Sequence, residues 1–234
     1  MIWILIGILV LLVICLSIAN YAPAHFLNKY KKYNKIKVAT SKTAGEFALM
    51  VVNHCDYPQL EVARIDKEHS DSYYYKTNTI LLSNSTIKSN SVASFATVAH
   101  EFGHAIQYNQ GNTKFKFFIM LATLTRWLSG LVFPLLISGA VLSVLGVVSD
   151  SISNSLLVAG LVIFVLTFLF KIITIIIEYD ASKKGLDYLK QNKIFTKKEL
   201  RIARRFLGSA GLTYVGSFLS SMLAWTFMVP RYKK

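Results

Sequence analysis

Four stretches of this chain, residues 1–19, 117–148, 156–177 and 206–229, are almost free of charge and long enough to matter to a bilayer. A transmembrane helix needs about 20 apolar residues. Such blocks cannot all be buried in one water-soluble core of 234 residues, and 53% hydrophobic residues with a mean hydropathy of +0.45 point the same way. The expected fold is therefore mainly α, a polytopic membrane protein, with the polar residues between the blocks left to build a soluble segment. Residues 1–19 read as a first transmembrane helix rather than a cleavable signal peptide, because the basic residues follow the apolar run instead of preceding it. The second block contains Arg126 and Pro134 and exceeds one span, so residues 127–148 are expected to cross, preceded by an interfacial or cytosolic helix. Residues 206–229 are rich in Gly and Ser and are expected to span or to form a re-entrant segment.

Lysine and arginine set the orientation. Lys29, Lys31, Lys32, Lys35, Lys37 and Lys42, then Lys114 and Lys116, flank the long polar segment, and residues 183–205 are equally basic, whereas residues 149–155 carry only Asp150. Basic loops stay in the cytoplasm. The expected organisation is a transmembrane helix over 1–19, a cytosolic segment over 20–116, two spans over 117–177, a cytosolic helical segment over 178–205 and the last apolar segment over 206–234. The net charge of +14 is mostly this cytosolic excess, which suits an anionic inner leaflet, and no nucleic-acid-binding pattern accompanies it. Cys15 would lie in lipid and Cys55 in reducing cytosol, so no disulfide is expected.

The chemistry is concentrated in His100-Glu101-Phe102-Gly103-His104. On a helix, residues four apart share a face, so His100 and His104 can reach one cation while Glu101 sits beside them as a general base for metal-bound water. A catalytic zinc takes three protein ligands and keeps an open position. No histidine follows six residues after His104, where Gln110 stands, so the third ligand is sought among Glu46, Glu61, Glu68, Glu178 and Glu199. Glu178 ends the third apolar block, where a carboxylate is costly unless paired or metal-bound, and two crossings return it to the side of His104. Its alternative is a salt bridge to Lys183 or Lys184. His54-Cys55-Asp56 offers ligand-type side chains, but neighbours in a row do not converge on one ion. Residues 79–83 read as a strand, either an ordinary sheet strand packed on the helix or an edge strand beside the site that, with Ile80, Leu81 and Leu82, would bind an extended substrate; Tyr73, Tyr74 and Tyr75 either pack or place a phenol, Tyr73 foremost, at the oxyanion.

With the pentad extended through Ala105-Ile106-Gln107, a helix start at Ser91-Val92-Ala93-Ser94, and Glu178-Tyr179-Asp180-Ala181-Ser182 two spans later, the chain resembles the YugP-type bacterial membrane-bound neutral zinc metallopeptidases. The resemblance covers nearly the whole length. It implies Zn2+ held by His100, His104 and Glu178, Glu101 as the catalyst, a zincin-like α+β segment with a short β-sheet, and a place in the bacterial plasma membrane with the site on the cytoplasmic face. Because Glu178 continues the third apolar block and residues 115–118 begin another soon after His104, the site is expected at the inner membrane surface, with peptides, membrane proteins or their cytosolic tails as substrates. Ser182 stands where the wider group of membrane gluzincins has Asp, and Asp180 is expected to point elsewhere on its helix. The competing expectations are a catalytically silent zinc-binding scaffold or quality-control adaptor, and a transporter, against which the missing internal repeat counts.

Overall fold

The computed structural model describes residues 2–57, 59–68, 70–111 and 113–226, with no side-chain description for 2–9, 11, 12, 114, 126 and 221–226. Predicted features on residues 227–234 lie outside this set. The chain is mainly helical with one small sheet: α1 (Ile2–Tyr33), α2 (Ala44–His54), β1 (Glu61–Ile65), β2 (Ser72–Tyr74), β3 (Thr79–Ser83), α3 (Asn84–Ile87), α4 (Val92–Asn109), α5 (Thr113–Leu128), α6 (Val132–Leu145), α7 (Asp150–Gln191) and α8 (Lys197–Thr226).

Local chemistry explains where the soluble elements begin. Thr43 and Glu46 form a capping box on α2, and Ser91 caps α4 by accepting from the Ser94 amide. Thr196 and Glu199 do the same for α8, and Glu199 also accepts from the Ala39 amide at 2.8 Å, which ties the α1–α2 connection to α8. Behind these starts lies one core. Phe47 of α2 stacks on Phe95 of α4 with ring centroids 4.9 Å apart, and Ile80, Leu82, Val98, Phe102 and Leu189 are fully or almost fully buried around them.

The sheet runs β1-β3-β2, with β3 parallel to β1 and antiparallel to β2. This corrects the expected edge-strand role of residues 79–83. Both sides of β3 are already hydrogen-bonded, and Ile80 and Leu82 point into the core, so neither its backbone nor those side chains can receive a substrate. The edge facing the site is β2.

Among the described residues two helical stretches are long and apolar enough to cross a membrane, Phe115–Leu145 and Asp150–Gln191. The first is broken by a turn of 3-10 helix at Ser129–Leu131. Pro134 falls in the first turn of α6, where its missing N–H would have had no intrahelical partner, and Gly146 ends α6 at φ 62°. The stretch is thus two helices, α5 ending at Leu128 and α6 at Leu145, joined by that turn. Outward-facing Val144 is 86% exposed, and Val141, Val158, Val162 and Val165 are also exposed, a surface suited to lipid and costly in water.

At 42 residues α7 is about 63 Å long, against about 30 Å of bilayer hydrocarbon. The expected boundary between residues 177 and 178 falls inside this single helix. α8 runs antiparallel to both α1 and α7: Phe206 stacks on Phe26 while Gly216 lies by Ala19 and Ala22, and Phe218 packs on Phe168. Lys171 of α7 reaches across to α8. Its ammonium donates across to the Ser217 carbonyl at 3.2 Å and hydroxyl at 3.1 Å.

Candidate metal centre

Glycine sets the distance between the two helices that meet at the pentad. A Cβ on Gly103 of α4 would strike the Ala181 carbonyl of α7, with the carbonyl carbon at 2.8 Å, and one on Gly185 of α7 would meet the Ala99 carbonyl carbon at 2.6 Å. The two backbones touch at reciprocal glycines, and that contact brings Glu178, one turn before Ala181, over the face carrying His100 and His104.

The three side chains converge. Glu178 Oε2 lies 3.2 Å from His100 Nε2 and 3.6 Å from His104 Nε2, and one donor atom from each residue falls within 4.8 Å of the others. A tetrahedral ion about 2.1 Å from each donor would separate neighbouring donors by roughly 3.4 Å. Glu178 Oε2 is also buried without a hydrogen-bond partner, an arrangement a cation would satisfy.

The surrounding hydrogen bonds decide which atoms face the centre. The Gln107 amide nitrogen donates to the Ile177 carbonyl at 3.0 Å and to Asp180 Oδ2 at 2.8 Å, so its oxygen faces His104 Nδ1 at 3.0 Å. That nitrogen must then carry a proton and donate, so Nε2, turned toward Glu178, is the atom that would bind a cation once its own proton is displaced. His100 Nδ1 pairs with the Ser182 hydroxyl at 3.0 Å. Asp180, expected to point elsewhere, therefore acts on His104 through Gln107: a 42-residue helix offers its neighbour more than one face. Gln107 was legible as the residue three after His104, on the same side of α4.

Glu101 is 8% exposed. Burial pushes its carboxyl up, the two histidines pull it down, and Glu178 and Asp71 add to the rise. Burial also opposes charge on His104, but hydrogen bonding and charge from Glu178, with Glu101, take it to about 9. Binding a cation below that pH means displacing a proton.

The remaining carboxylates have other partners. Glu46 and Glu199 are in caps, Glu68 accepts from Ser85, and Glu61 lies on β1. Lys184, a suggested partner for Glu178, instead meets Asp180 at 4.0 Å and Gln110 at 3.3 Å. His54 bonds the Met50 carbonyl and Cys55 the Val52 carbonyl, and Cys15 and Cys55 are free thiols. Among the described residues only His100, His104 and Glu178 form a cluster able to hold a metal.

These residues open onto a cavity of about 720 Å³ with two unlike walls. One is β2 and its turn, Asp71 to Lys76; the other is apolar, with Phe115, Phe118, Ile119 and Trp127 of α5 and Phe170 of α7. Tyr73 lines it, but its hydroxyl donates to Asn78 at 2.6 Å, within an Asn78–Asn109 pair. Tyr214 of α8 also lines it, alongside Glu178. No sequence spacing pointed to Tyr214, which arrives from a different helix.

Residues 8–231 match the family model described as "Putative neutral zinc metallopeptidase". The chain belongs to this family. Zinc is the family's metal, and the cluster of His100, His104 and Glu178 fits it in donor type and spacing. A similar protein is the "Putative membrane protease YugP" of Bacillus subtilis (strain 168), 24% identical over 212 residues, covering 91% of this chain and 90% of the relative. No solved structure matches the chain.

Proposed function

We propose that this protein is a membrane-bound zinc endopeptidase in which His100, His104 and Glu178 hold the metal and Glu101 is the general base. One observation carries the reading: two imidazole nitrogens and an otherwise unpartnered carboxylate oxygen face each other at the edge length of a tetrahedral site, with a second buried carboxylate next along α4. Bound zinc supplies Lewis acidity and lowers the pKa of a water from 15.7 to about 7. Glu101 accepts the proton as water oxygen adds to the scissile carbonyl carbon, and returns it to the nitrogen as the C–N bond breaks. Its raised carboxyl makes it a better proton acceptor than an exposed glutamate. Ser182, Gln107 and Asp180 keep the imidazoles aimed. Three ligands and an adjacent base suit catalysis; a structural zinc is usually closed by four protein ligands.

The outer edge of β2 is the place for an extended substrate backbone, with Tyr73 beneath it and the α5 wall opposite. An apolar wall leading toward Trp127, itself 78% exposed, favours chains that leave a bilayer near the scissile bond, hence membrane proteins or their cytosolic tails. The lysine-rich flanks support a site on the cytoplasmic face of the bacterial plasma membrane, with several spans anchoring it.

The test is zinc content and cleavage of a membrane-protein or casein substrate by wild type, Glu101→Gln and Glu178→Ala. Glu101→Gln should keep about one zinc and lose cleavage, and Glu178→Ala should lose both. Cleavage undiminished in Glu101→Gln refutes the mechanism.

A further inference from the structure

The peptidase reading leaves one developing charge without a hydrogen-bond donor from the protein. When water adds to the scissile carbonyl, the carbonyl oxygen becomes an oxyanion, and zincin-type chemistry gains most from a donor already aimed at that oxygen in a dry site. The cavity holds few such donors. The Tyr73 proton is committed to Asn78, the Gln107 amide to Ile177 and Asp180, and Lys76 is exposed at the rim. Tyr74 is exposed, and Tyr75 packs against Tyr74 and Tyr108. Tyr214 differs from all of these. It reaches the cavity from α8 and lines it together with His100, Glu101, His104 and Glu178. Its helix is held there by Lys171 bonding Ser217 and by Phe168 packing on Phe218, one turn farther along.

Resting on the peptidase assignment, we propose that Tyr214 is a further catalytic residue, whose hydroxyl donates a hydrogen bond to the oxyanion of the tetrahedral intermediate. The phenol keeps its proton throughout. Water oxygen bonds to the carbonyl carbon, the π pair moves onto oxygen, Glu101 holds the water proton, and Tyr214 stabilises the new negative charge. On collapse the pair returns, the C–N bond breaks, and the amine leaves with the proton from Glu101. In the resting site the same side chain already lines the cavity beside Glu178, within the site where the oxyanion would form. A peptide on the β2 edge would place its carbonyl between that strand and α8, with Tyr214 facing it.

Tyr214→Phe removes one oxygen and leaves the ring, so it separates donation from packing. Measured on full-length protein beside wild type and Glu101→Gln, the variant should lose about 10²-fold in kcat with KM and zinc stoichiometry unchanged. A peptide phosphonamidate, whose tetrahedral anion mimics the intermediate, should bind it weaker by the same factor, while a product peptide binds equally. Helical circular dichroism on the same preparations reports folding, and the ratio of phosphonamidate to product affinity in wild type and variant decides the matter even where stability drops. If kcat is unchanged, or if zinc affinity falls in step with kcat, the hydroxyl is idle or only positions Glu178, and the assignment is overturned. If Glu101→Gln cleaves as well as wild type, the peptidase reading itself fails, a different result from activity lost in Glu101→Gln but kept in Tyr214→Phe.

Discussion

Replacing Gly103 by alanine adds one methyl group where α4 and α7 touch. The new Cβ would lie 2.8 Å from the Ala181 carbonyl carbon and 3.0 Å from its Cα, and closer still to the carbonyl oxygen. Carbon contacts are comfortable at about 3.5–4.0 Å, so the helices must part by roughly 1 Å. No flexible side chain can yield, because the obstacle is backbone inside a continuous helix. Overpacking of this kind costs about 1–3 kcal/mol in stability. The larger effect falls on the centre. Glu178 is one turn from Ala181, so a 1 Å retreat would stretch its 3.2 and 3.6 Å separations from the imidazoles beyond what one small ion can bridge. Zinc affinity should fall on the order of 10- to 100-fold, the loss usual when support of a ligand is removed, and kcat/KM by about 10²-fold. Competition against a chromophoric chelator gives the affinity. Gly185→Ala, which would strike Ala99, should behave alike, whereas Gly208→Ala, with open space around it, should not. Wild-type zinc affinity in Gly103→Ala would refute the claim that glycine contact sets the geometry of the site.

Other consequences follow from the hydrogen bonds and charges. Ser182→Ala, which strips His100 Nδ1 of its partner, should weaken zinc about tenfold while retaining the fold, as measured by the same competition. Gln107→Leu should do more, lowering thermal stability by about 1–3 kcal/mol because His104 Nδ1–H and Asp180 both lose a partner. Because His104 is raised to about 9, zinc titrations between pH 9 and 7 should show affinity dropping about tenfold per unit as the pH falls, since one proton must leave. In chelator-stripped protein the raised histidine should contribute stability that is complete below about pH 6.5 and lost as the pH rises through 9; melting curves across that window test it. Glu101, raised by burial, should set an acid limb of activity above the ordinary carboxylate range, and that limb should disappear with Glu101→Gln.

The pentad was legible because its chemistry is local: four residues make one turn, and helix periodicity alone aims both imidazoles. Glu178 was legible for a different reason, the cost of a carboxylate at the end of an apolar run combined with the parity of crossings. What escaped the sequence depends on which elements become neighbours. Strand propensity marks residues 79–83 but not their rank in the sheet, so β3 became the central strand and β2 the edge facing the site only when β1 was seen on the other side. Asp180 reads as turned away on an isolated helix, yet α4 supplies Gln107 to bridge the gap. Tyr214 lies far along the chain from Glu178, and only antiparallel packing of α8 on α7 brings them together.

That packing bears on where the last apolar segment goes. From Glu178 back to Phe168, α7 is matched by α8 running forward from Tyr214 to Phe218, and Lys171 is fixed to Ser217 between them. On its other side α8 runs against α1, where Phe206 meets Phe26 and Gly216 meets Ala19 and Ala22. The second half of α8 is thus laid along the apolar parts of two helices, and if those lie in the bilayer it must enter with them. Scanning single cysteines with a membrane-impermeant thiol reagent in oriented vesicles, in a Cys15→Ala and Cys55→Ala background, would read this directly. Labelling at residue 204 but not at 213 or 220 is the pattern expected of a helix that leaves the cytosolic face just past the metal site. Equal labelling at all three would detach α8 from the membrane and, with it, the placing of Glu178 at the bilayer surface.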